Sequence, residues 1–378
     1  MSEAPKLPEF MLTYPTVFAV ADEYQIYVPF SESVLMTVQV GDRTFYDDCN
    51  GVLRSNTLVH KVIVPMALLD AAKSYTVSYR KVIDRKPYRP ELEDERSLTL
   101  PFRPVPTEGA IKIYHVSDAH NLVDEPIAAG RYYGDELDLL VMNGDIPNHS
   151  GRIENFNAIY EIASGITGGQ CPVAYARGNH DCRGIHAEDM PQYIPTYNGR
   201  TYFTFRVGSI WGIVLDCGED KLDTHEEYGG TVCFHEFRLA ETDFIKKVIA
   251  NAATEYAAPG VKHRLVISHV NFWHRESNPI FDIEDEVYTE WAALMREGIK
   301  PDLSLFGHHH RVEICQIGGP MDGRGQYGLA LIGSRPTAKK FGHAEDTFTG
   351  CGVTILPDGK FEIVFNRETG EVLQKTVI

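Results

Sequence analysis

Five short polar clusters in the sequence contain residue types that bind metal ions. They lie at residues 117–120, 143–145, 178–181, 268–269 and 307–310, and each follows a short apolar run within a residue or two. Carboxylates, carboxamide oxygens and imidazoles suit manganese, iron, zinc or nickel, and no thiolate is among them. The carboxyl ends of strands in an open α/β sheet form a ligand crevice, so we expect the clusters to converge on one site.

The clusters contain enough ligands for two ions. A centre with ions about 3.5 to 4 Å apart needs a bridging carboxylate and several ligands on each side. The candidate ligands are Asp118, His120, Asp145, Asn179, His269, His308 and His310. Manganese, iron or zinc, as two divalent or trivalent ions, is therefore the expected cofactor.

Two local features support this prediction. Gly144, Gly178 and Gly307 stand close before a ligand, where a tight turn or a close backbone approach would exclude a side chain. Residues two apart on an extended segment share a face, so we expect the Asp118 and His120 pair, and likewise residues 308 and 310, to aim together. Ala119 and His309 would then point elsewhere.

The chain up to about residue 100 has the pattern of successive strands. Hydrophobic residues alternate with others at Val34, Met36, Val38 and Val40, and no good helical pattern interrupts the strands. Turn signals space them as in a small β-sandwich. The proline-containing segment 101–107 resembles a stiff linker, so we predict an Ig/fibronectin-like sandwich over 1–104 and a catalytic domain over 105–378.

The pattern changes after this linker. Short apolar runs predict buried strands at 111–116, 137–142, 173–176, 265–267 and 303–306. Helical spacing occurs near 152–166 and 236–251, and residues 201–216 and 351–365 resemble hairpins. We therefore predict an α/β fold with a mixed sheet in the catalytic domain.

Composition argues against several partners. The chain has 36 basic and 53 acidic residues, a net charge of −17, which repels nucleic acids and anionic membrane surfaces. The first ten residues lack the basic and apolar segments of an export signal, and no apolar stretch is long enough to span a membrane. We expect a soluble cytoplasmic protein with seven reduced cysteines and no zinc–cysteine site. Its oligomeric state stays open.

The five clusters, in this order, resemble the motifs of the calcineurin-like metallophosphoesterase superfamily. Those motifs are DxH, GD, GNH followed by D or E, a lone H, and GHxH, and the resemblance covers about residues 110–312. It implies a four-layer fold of two mixed sheets flanked by helices. It also implies that one metal is bound by Asp118, His120, Asp145 and His310, and the other by Asp145, Asn179, His269 and His308. Asp145 would be the bridge, and His180 the general acid.

Two departures from related families are informative. Protein phosphatases of this superfamily carry GDxxDRG, whereas Asn148 here stands where their aspartate supports the catalytic histidine. Purple acid phosphatases also carry an N-terminal β-sandwich, but they have DxG first and a tyrosine three residues after the bridging aspartate. His120 and Asn148 occupy those positions here, so we expect no charge-transfer colour.

The expected function is hydrolysis of a small phosphomonoester or phosphodiester by a hydroxide that bridges two metals. A metal-binding interaction module without turnover and a protein phosphatase are the alternatives. His149, Arg183 and His274 lie near the motif loops and are candidates for substrate contacts, although each is also typical of an exposed loop. Asp181 is more typical of a local cap or turn than of a catalytic residue.

Overall fold

Most of the chain before residue 105 forms strands. The computed structural model describes residues 5–278, 280–281, 284–337, 339, 342 and 345–378. The N-terminal strands are β1 (Thr16–Val20), β2 (Glu23–Pro29), β3 (Val34–Val40), β4 (Arg43–Tyr46), β5 (Asp48–Cys49), β6 (Val52–Leu53), β7 (Val59–Pro65), β8 (Ser74–Asp84), β9 (Glu91–Leu92) and β10 (Arg96–Pro101). In β3 alternate residues are buried, as the hydrophobic alternation predicts.

One short helix, α1 (Met66–Ala72), interrupts these strands, so the expectation of an all-strand segment was wrong. Its sequence, MALLDAA, consists mainly of strong helix formers, and Pro65 immediately precedes it. The helix ends at Lys73, whose φ of 54° is left-handed. Its apolar residues Met66 and Leu69 are buried. Seven residues give too short a window for helical periodicity to stand out.

The rest of the chain alternates strands and helices. The strands are β11 (Ile111–Val116), β12 (Leu139–Asn143), β13 (Val173–Ala176), β14 (Phe203–Val207), β15 (Ile210–Leu215), β16 (His263–Ser268), β17 (Leu303–Phe306), β18 (Arg311–Cys315), β19 (Leu329–Thr337), β20 (Thr347–Ile355), β21 (Phe361–Arg367) and β22 (Val372–Val377). The longer helices are α2 (Asp124–Gly130), α3 (Asn157–Thr167), α4 (Phe234–Ala250) and α5 (Asp285–Leu294). The predicted mixed α/β fold is confirmed.

Two groups of parallel strands carry the five clusters. Strands β11, β12 and β13 are parallel neighbours, as are β15, β16, β17 and β19. Antiparallel strands complete each group, and the two groups join where Arg335–Thr337 of β19 pairs with 347–349 of β20. The inner faces share one apolar core. Since strands within each parallel group run the same way, their carboxyl ends meet at one edge.

Helices cover the outer faces. The first pair, α2 and α3, packs beside β11, β12 and β20. The second pair, α4 and α5, packs on the other group, where Ile245, Trp291, Trp211 and Ile332 belong to a second apolar core. The result is the expected arrangement of two sheets between two helical layers. No helix in the described part of the chain is both long and apolar enough to cross a membrane.

The N-terminal strands divide among three sheets, the smallest of which contains only β5 and β6. Strands β10, β8, β3 and β4 form a separate sheet, whereas β2 pairs with β1 and β7 and extends the large sheet. The junction is parallel pairing of β1 with β13, where Phe18 is opposite Val173. Phe18 is fully buried and makes edge-to-face contacts with Tyr27 and Tyr175. The division into 1–104 and 105–378 stays a prediction.

We predict that Phe18→Ala destabilises the catalytic part of the chain as well as the N-terminal strands. Removing a fully buried phenylalanine costs about 3–5 kcal/mol, and Tyr175 would lose its partner. All three tryptophans follow residue 105, so their fluorescence during urea unfolding reports on the catalytic part. Leu12→Ala, at a side chain that is 50% exposed, is the control. An unchanged tryptophan transition would indicate that the two parts unfold independently.

Candidate metal centre

The seven predicted ligands lie at the carboxyl ends of β11, β12, β13, β16 and β17. Three groups of metal-binding side chains bring their ligand atoms within 4.8 Å of one another. They are Asp118, His120 and His310; His120, Asp145 and His180; and Asp118, Asp145 and His269. The overlap of these groups at Asp118, His120 and Asp145 shows that they form one continuous site.

The first set expected to share an ion is compact. Nε2 of His120 lies 3.2 Å from Nε2 of His310, and the latter atom lies 3.5 Å from Oδ1 of Asp118. Asp118 and His120 are almost completely buried, whereas the side chain of His310 is 36% exposed. This set is therefore open on the side of His310.

The second set surrounds His269. Its Nδ1 donates to the carbonyl oxygen of Asn143 at 2.7 Å, which turns Nε2 toward Oδ2 of Asp145 at 3.3 Å. Fixing one ring nitrogen in this way selects the tautomer whose other nitrogen can bind a metal. Nearby, Nδ1 of His308 lies 3.1 Å from Oδ1 of Asn179.

Asp145 lies between the two sets. Its Oδ2 is 3.3 Å from Nε2 of His269 and 3.9 Å from Nε2 of His120, while Oδ1 accepts a hydrogen bond from the His180 amide at 2.8 Å. One carboxylate oxygen is thus held by the backbone and the other faces the imidazoles. This orientation leaves a single oxygen, Oδ2, between the two sets.

The donor set fits metal ions. Several nitrogen–oxygen separations, 3.3 to 3.9 Å, exceed those of good hydrogen bonds. Ligands bound at about 2.0–2.2 Å to the same ion lie roughly 3 to 4 Å apart, which matches these separations. Nε2 of His269 is buried and has no hydrogen-bond partner among the described residues. Such an atom is suited to a cation.

Electrostatics favours positive charge at this position. Burial opposes ionisation of Asp145, but His269, His180 and His120 outweigh burial and lower the pKa of its carboxyl well below the usual range. Burial likewise opposes protonation of His269, yet Asp145 and Asp118 raise the pKa of its ring to about 10. In the metal-free protein a proton on His269 therefore balances the carboxylates, and metal binding would displace it.

The backbone at the ligands differs from the expected extended geometry. Asp118 and His120 have φ values of 55° and 47°, and His308 and His310 have 66° and 49°. These left-handed turns, rather than an extended segment, aim the side chains, so the expected reason for their convergence was wrong. His308 and His310 in fact diverge, since His308 contacts Asn179 and His310 contacts His120.

The three glycines serve the close approaches predicted for them. A Cβ on Gly178 would overlap the backbone nitrogen and carboxylate of Asp145, and one on Gly307 would overlap the hydroxyl of Ser117. Gly144 has φ of 77° and would meet Cα of Gly178 at 2.6 Å. The ligand loops are therefore packed backbone against backbone.

His180 is oriented by the main chain. Its Nδ1 lies 2.9 Å from the carbonyl oxygen of Asn148, and its Nε2 lies 3.3 Å from Nη1 of Arg183. A carbonyl only accepts and a guanidinium only donates, so Nδ1 carries the proton and Nε2 the lone pair in this conformation. The carbonyl of Asn148, rather than its side chain, therefore supports the ring where relatives use an aspartate.

The three candidate substrate contacts occupy different surroundings. His149 is exposed and its Nδ1 accepts from the Gly151 amide at 3.0 Å. Nε2 of His274 faces Oε1 of Glu276 at 3.3 Å in a small cleft that also borders His308. The structure thus places His274 closer to the predicted ligands than the sequence alone indicates.

Arg183, the third candidate, is surrounded by carboxylates. Its Nε and Nη2 donate to the two oxygens of Glu219 at 2.8 and 2.9 Å, and Nη2 also donates to Asp220 at 3.2 Å. Glu227 lies 3.5 Å from Nη1. Arg183 lines a cavity of about 710 Å³, but its charge is largely balanced by these carboxylates. A role in binding the substrate phosphate stays a prediction.

Sequence reasoning did not identify two residues that shape the site. The Asn143 carbonyl orients His269, and the hydroxyl of Ser117 donates to Oδ2 of Asp118 at 2.6 Å. A main-chain carbonyl leaves no signal in the residue type. Serine is common before many turns, so neither residue could be recognised from the sequence.

Comparison with known families agrees with this geometry. Residues 111–312 match the family model described as calcineurin-like phosphoesterase, which is more than half of the 378 residues. The chain belongs to the calcineurin-like phosphoesterase family. It is accordingly a hydrolase of phosphoric ester bonds, and the family implies divalent or trivalent metal ions. No match was found among curated protein sequences.

Two solved structures resemble the fold. A purple acid phosphatase from seeds of yellow lupin (Lupinus luteus) aligns with a TM-score of 0.58 and 11% identity, covering 97% of this chain and 75% of the other. PhoD aligns with a TM-score of 0.56 and 11% identity, covering 99% and 94%. At this identity the likeness concerns the fold, and it extends over the N-terminal strands in both cases.

We predict that Gly178→Ala lowers metal content. The added methyl group would overlap the backbone of Asp145, which cannot move without shifting its carboxylate. Gly298→Ala is the matched control, because the nearest atoms that its methyl group would meet are side-chain carbons of Ile249, remote from the ligand loops. Elemental analysis after reconstitution and dialysis gives the metal content. Equal metal content in the two variants would contradict the close packing of these loops.

Proposed function

We propose that the chain hydrolyses a phosphomonoester or phosphodiester of a small molecule at a centre of two metal ions. The observation that carries this proposal is the position of Asp145 Oδ2 between two sets of ligands, 3.3 Å from His269 and 3.9 Å from His120. A single ion would leave one set without a cation. The alternative, an interaction module without turnover, would not require a complete set of ligands for two ions.

We propose that the ligands divide between the two ions as the family resemblance implies. One ion would be held by Asp118, His120, Asp145 and His310, and the other by Asp145, Asn179, His269 and His308. When bound, the two ions would supply a hydroxide nucleophile and neutralise charge on the phosphoryl oxygens. The proposed ions are manganese, iron or zinc.

His180 is proposed to protonate the leaving group. Its side chain is 29% exposed, its Nε2 is 3.9 Å from Oδ2 of Asp145, and the Asn148 carbonyl fixes the plane of the ring. Because Nε2 faces the donor Arg183 in this conformation, the ring must exchange that contact for a proton before it acts as an acid. Substrate entry beside Arg183 is the step at which this exchange would occur.

A small substrate agrees with the charge of the chain. The net charge of −17 opposes binding of a polyanion such as a nucleic acid. A single phosphate drawn to two cations faces less repulsion. Assays with p-nitrophenyl phosphate and bis-p-nitrophenyl phosphate on metal-reconstituted protein would distinguish monoesterase from diesterase activity, and turnover of neither would contradict the proposal.

We predict two metal ions per chain and loss of both in Asp145→Asn. The substitution removes the negative charge that both ions would share, so no other single change at the ligands should cost more. His149→Ala is the control, because this exposed histidine lies outside both ligand sets. Elemental analysis gives the stoichiometry. One ion in the reconstituted wild type, or two retained in Asp145→Asn, would rule out the shared carboxylate.

We predict that His180→Ala lowers turnover by roughly 10²- to 10⁴-fold for poor leaving groups while metal content is unchanged. The loss should shrink as the leaving-group pKa falls, because a nitrophenolate departs with little help from an acid. A series of aryl and alkyl phosphoesters at matched metal occupancy measures this dependence. An equal loss across the series would assign His180 to phosphate binding instead.

A further inference from the structure

Asp181 is the one acidic residue of the five clusters to which the proposed function gives no role. It lies in the short turn His180–Cys182, within the loop that follows β13. Its side chain is fully buried although a carboxylate is costly to remove from water. Its Oδ1 has no hydrogen-bond partner among the described residues, so the hydrogen bonds that offset its burial fall on Oδ2.

The carboxylate of Asp181 connects two ligand loops. Its Oδ2 accepts from the Gly178 amide at 2.6 Å, from the Asp145 amide at 3.2 Å and from the hydroxyl of Tyr175 at 3.4 Å. The first amide belongs to the loop after β13 and the second to the loop after β12. These strands are parallel neighbours, so one side chain joins the two loops where they leave the sheet.

Asp145 needs such a partner. Its φ of 53° is left-handed, a conformation that is unfavourable for a non-glycine residue. The residue is 1% exposed, so its amide cannot bond to water, and leaving a buried amide unpaired would be destabilising. The hydrogen bond to Asp181 satisfies this amide in the conformation that directs the carboxylate inward.

The connection is reciprocal. The His180 amide, next to Asp181, donates to Oδ1 of Asp145 at 2.8 Å, and the hydroxyl of Ser150 donates to the carbonyl oxygen of Asp181 at 2.6 Å. Each loop thus donates to an acidic residue of the other. Rotation of the Asp145 carboxylate would break the bond to His180, so Oδ2 stays directed at the imidazoles.

We propose that Asp181 is a positioning residue that sets the metal affinity of the centre by holding the Asp145 and Asn179 loops together. The proposal rests on the function proposed above, in which Asp145 and Asn179 bind the ions. Asp181 itself would contact neither metal nor substrate. Its effect comes from where its acceptor oxygen lies rather than from its charge.

The first test is Asp181→Ala in the full chain, with metal affinity measured by competition with a chelator. Loss of an outer residue that orients a ligand typically weakens metal binding 10- to 100-fold, approximately, and we expect that range. Turnover at saturating metal should stay within a few-fold of wild type. This division between metal affinity and turnover would not arise from general destabilisation.

Two further variants separate position from charge and from stability. Asp181→Asn removes the acidic group but keeps an acceptor oxygen, so its metal affinity should lie within a few-fold of wild type. Asp138→Ala is the matched control, since Oδ2 of Asp138 is buried and accepts from the Lys112 amide at 2.8 Å. It precedes β12, at the end opposite the site. Its loss should lower the melting temperature and leave metal affinity unchanged.

Each outcome decides the proposal. Wild-type affinity in Asp181→Ala would overturn it, as would an Asp181→Asn variant that binds metal as weakly as the alanine variant. The asparagine variant alone suffices if the alanine variant does not fold. Failure of the proposed function would look different, since the wild type would then bind fewer than two ions.

Discussion

The buried carboxylate of Asp145 among imidazoles is the interaction on which the rest of the centre depends. An ionised carboxylate at 1% exposure is stable only if positive charge or several donors surround it. His269 supplies that charge as a proton in the metal-free protein, and its raised pKa, about 10, shows how strongly the site favours a cation. Metal ions would occupy the same place with more charge. The surrounding loops hold the Asp145 carboxylate and the His269 ring in position.

The geometry of these loops explains why the site requires such a rigid scaffold. Five of the seven predicted ligands have left-handed backbones, with φ between 47° and 66°; they are Asp118, His120, Asp145, His308 and His310. Such conformations persist only where their surroundings fix them. Backbone hydrogen bonds supply part of this restraint. The Asp118 amide donates to the carbonyl oxygen of Gly144 at 3.0 Å, and the His120 amide donates to the main-chain carbonyl oxygen of Asp145 at 2.9 Å. Parallel strands anchor the start of each loop.

Much of this arrangement could be predicted from residue types. The buried strands are short apolar runs that stop where the polar ligand clusters begin, so their limits are visible in the sequence. Three strands have the predicted bounds: Ile111–Val116, Val173–Ala176 and Leu303–Phe306. The identity of the candidate ligands follows from the same pattern. The pairing of distant strands could not be predicted in this way. Nothing in the residues of β1 indicates that it pairs with β13, because this pairing depends on which sheet edge the rest of the fold leaves open.

Local conformation was less predictable than position. Residues two apart were expected to share a face on an extended chain, yet the 118–120 and 308–310 segments turn in the left-handed region. A non-glycine residue gives no sign of such a backbone, because tertiary contacts impose it. His115 shows the same limit: neither nitrogen of its buried ring has a hydrogen-bond partner among the described residues, and burial lowers its pKa to about 3, which its position in an apolar run does not reveal.

The orientation of His180 shows how a motif can change without loss of its geometry. Asn148 replaces the aspartate of the protein phosphatases, but the ring is held by the main-chain carbonyl of this residue, which any side chain would provide. On the other side of the ring, Arg183 is held by Glu219 and Asp220, so its charge is balanced before substrate arrives. The surroundings of Asp145 and of His180 thus serve different purposes. Around Asp145 buried carboxylates attract cations, whereas around His180 the main-chain carbonyl of Asn148 and the ion-paired Arg183 fix the direction of the ring.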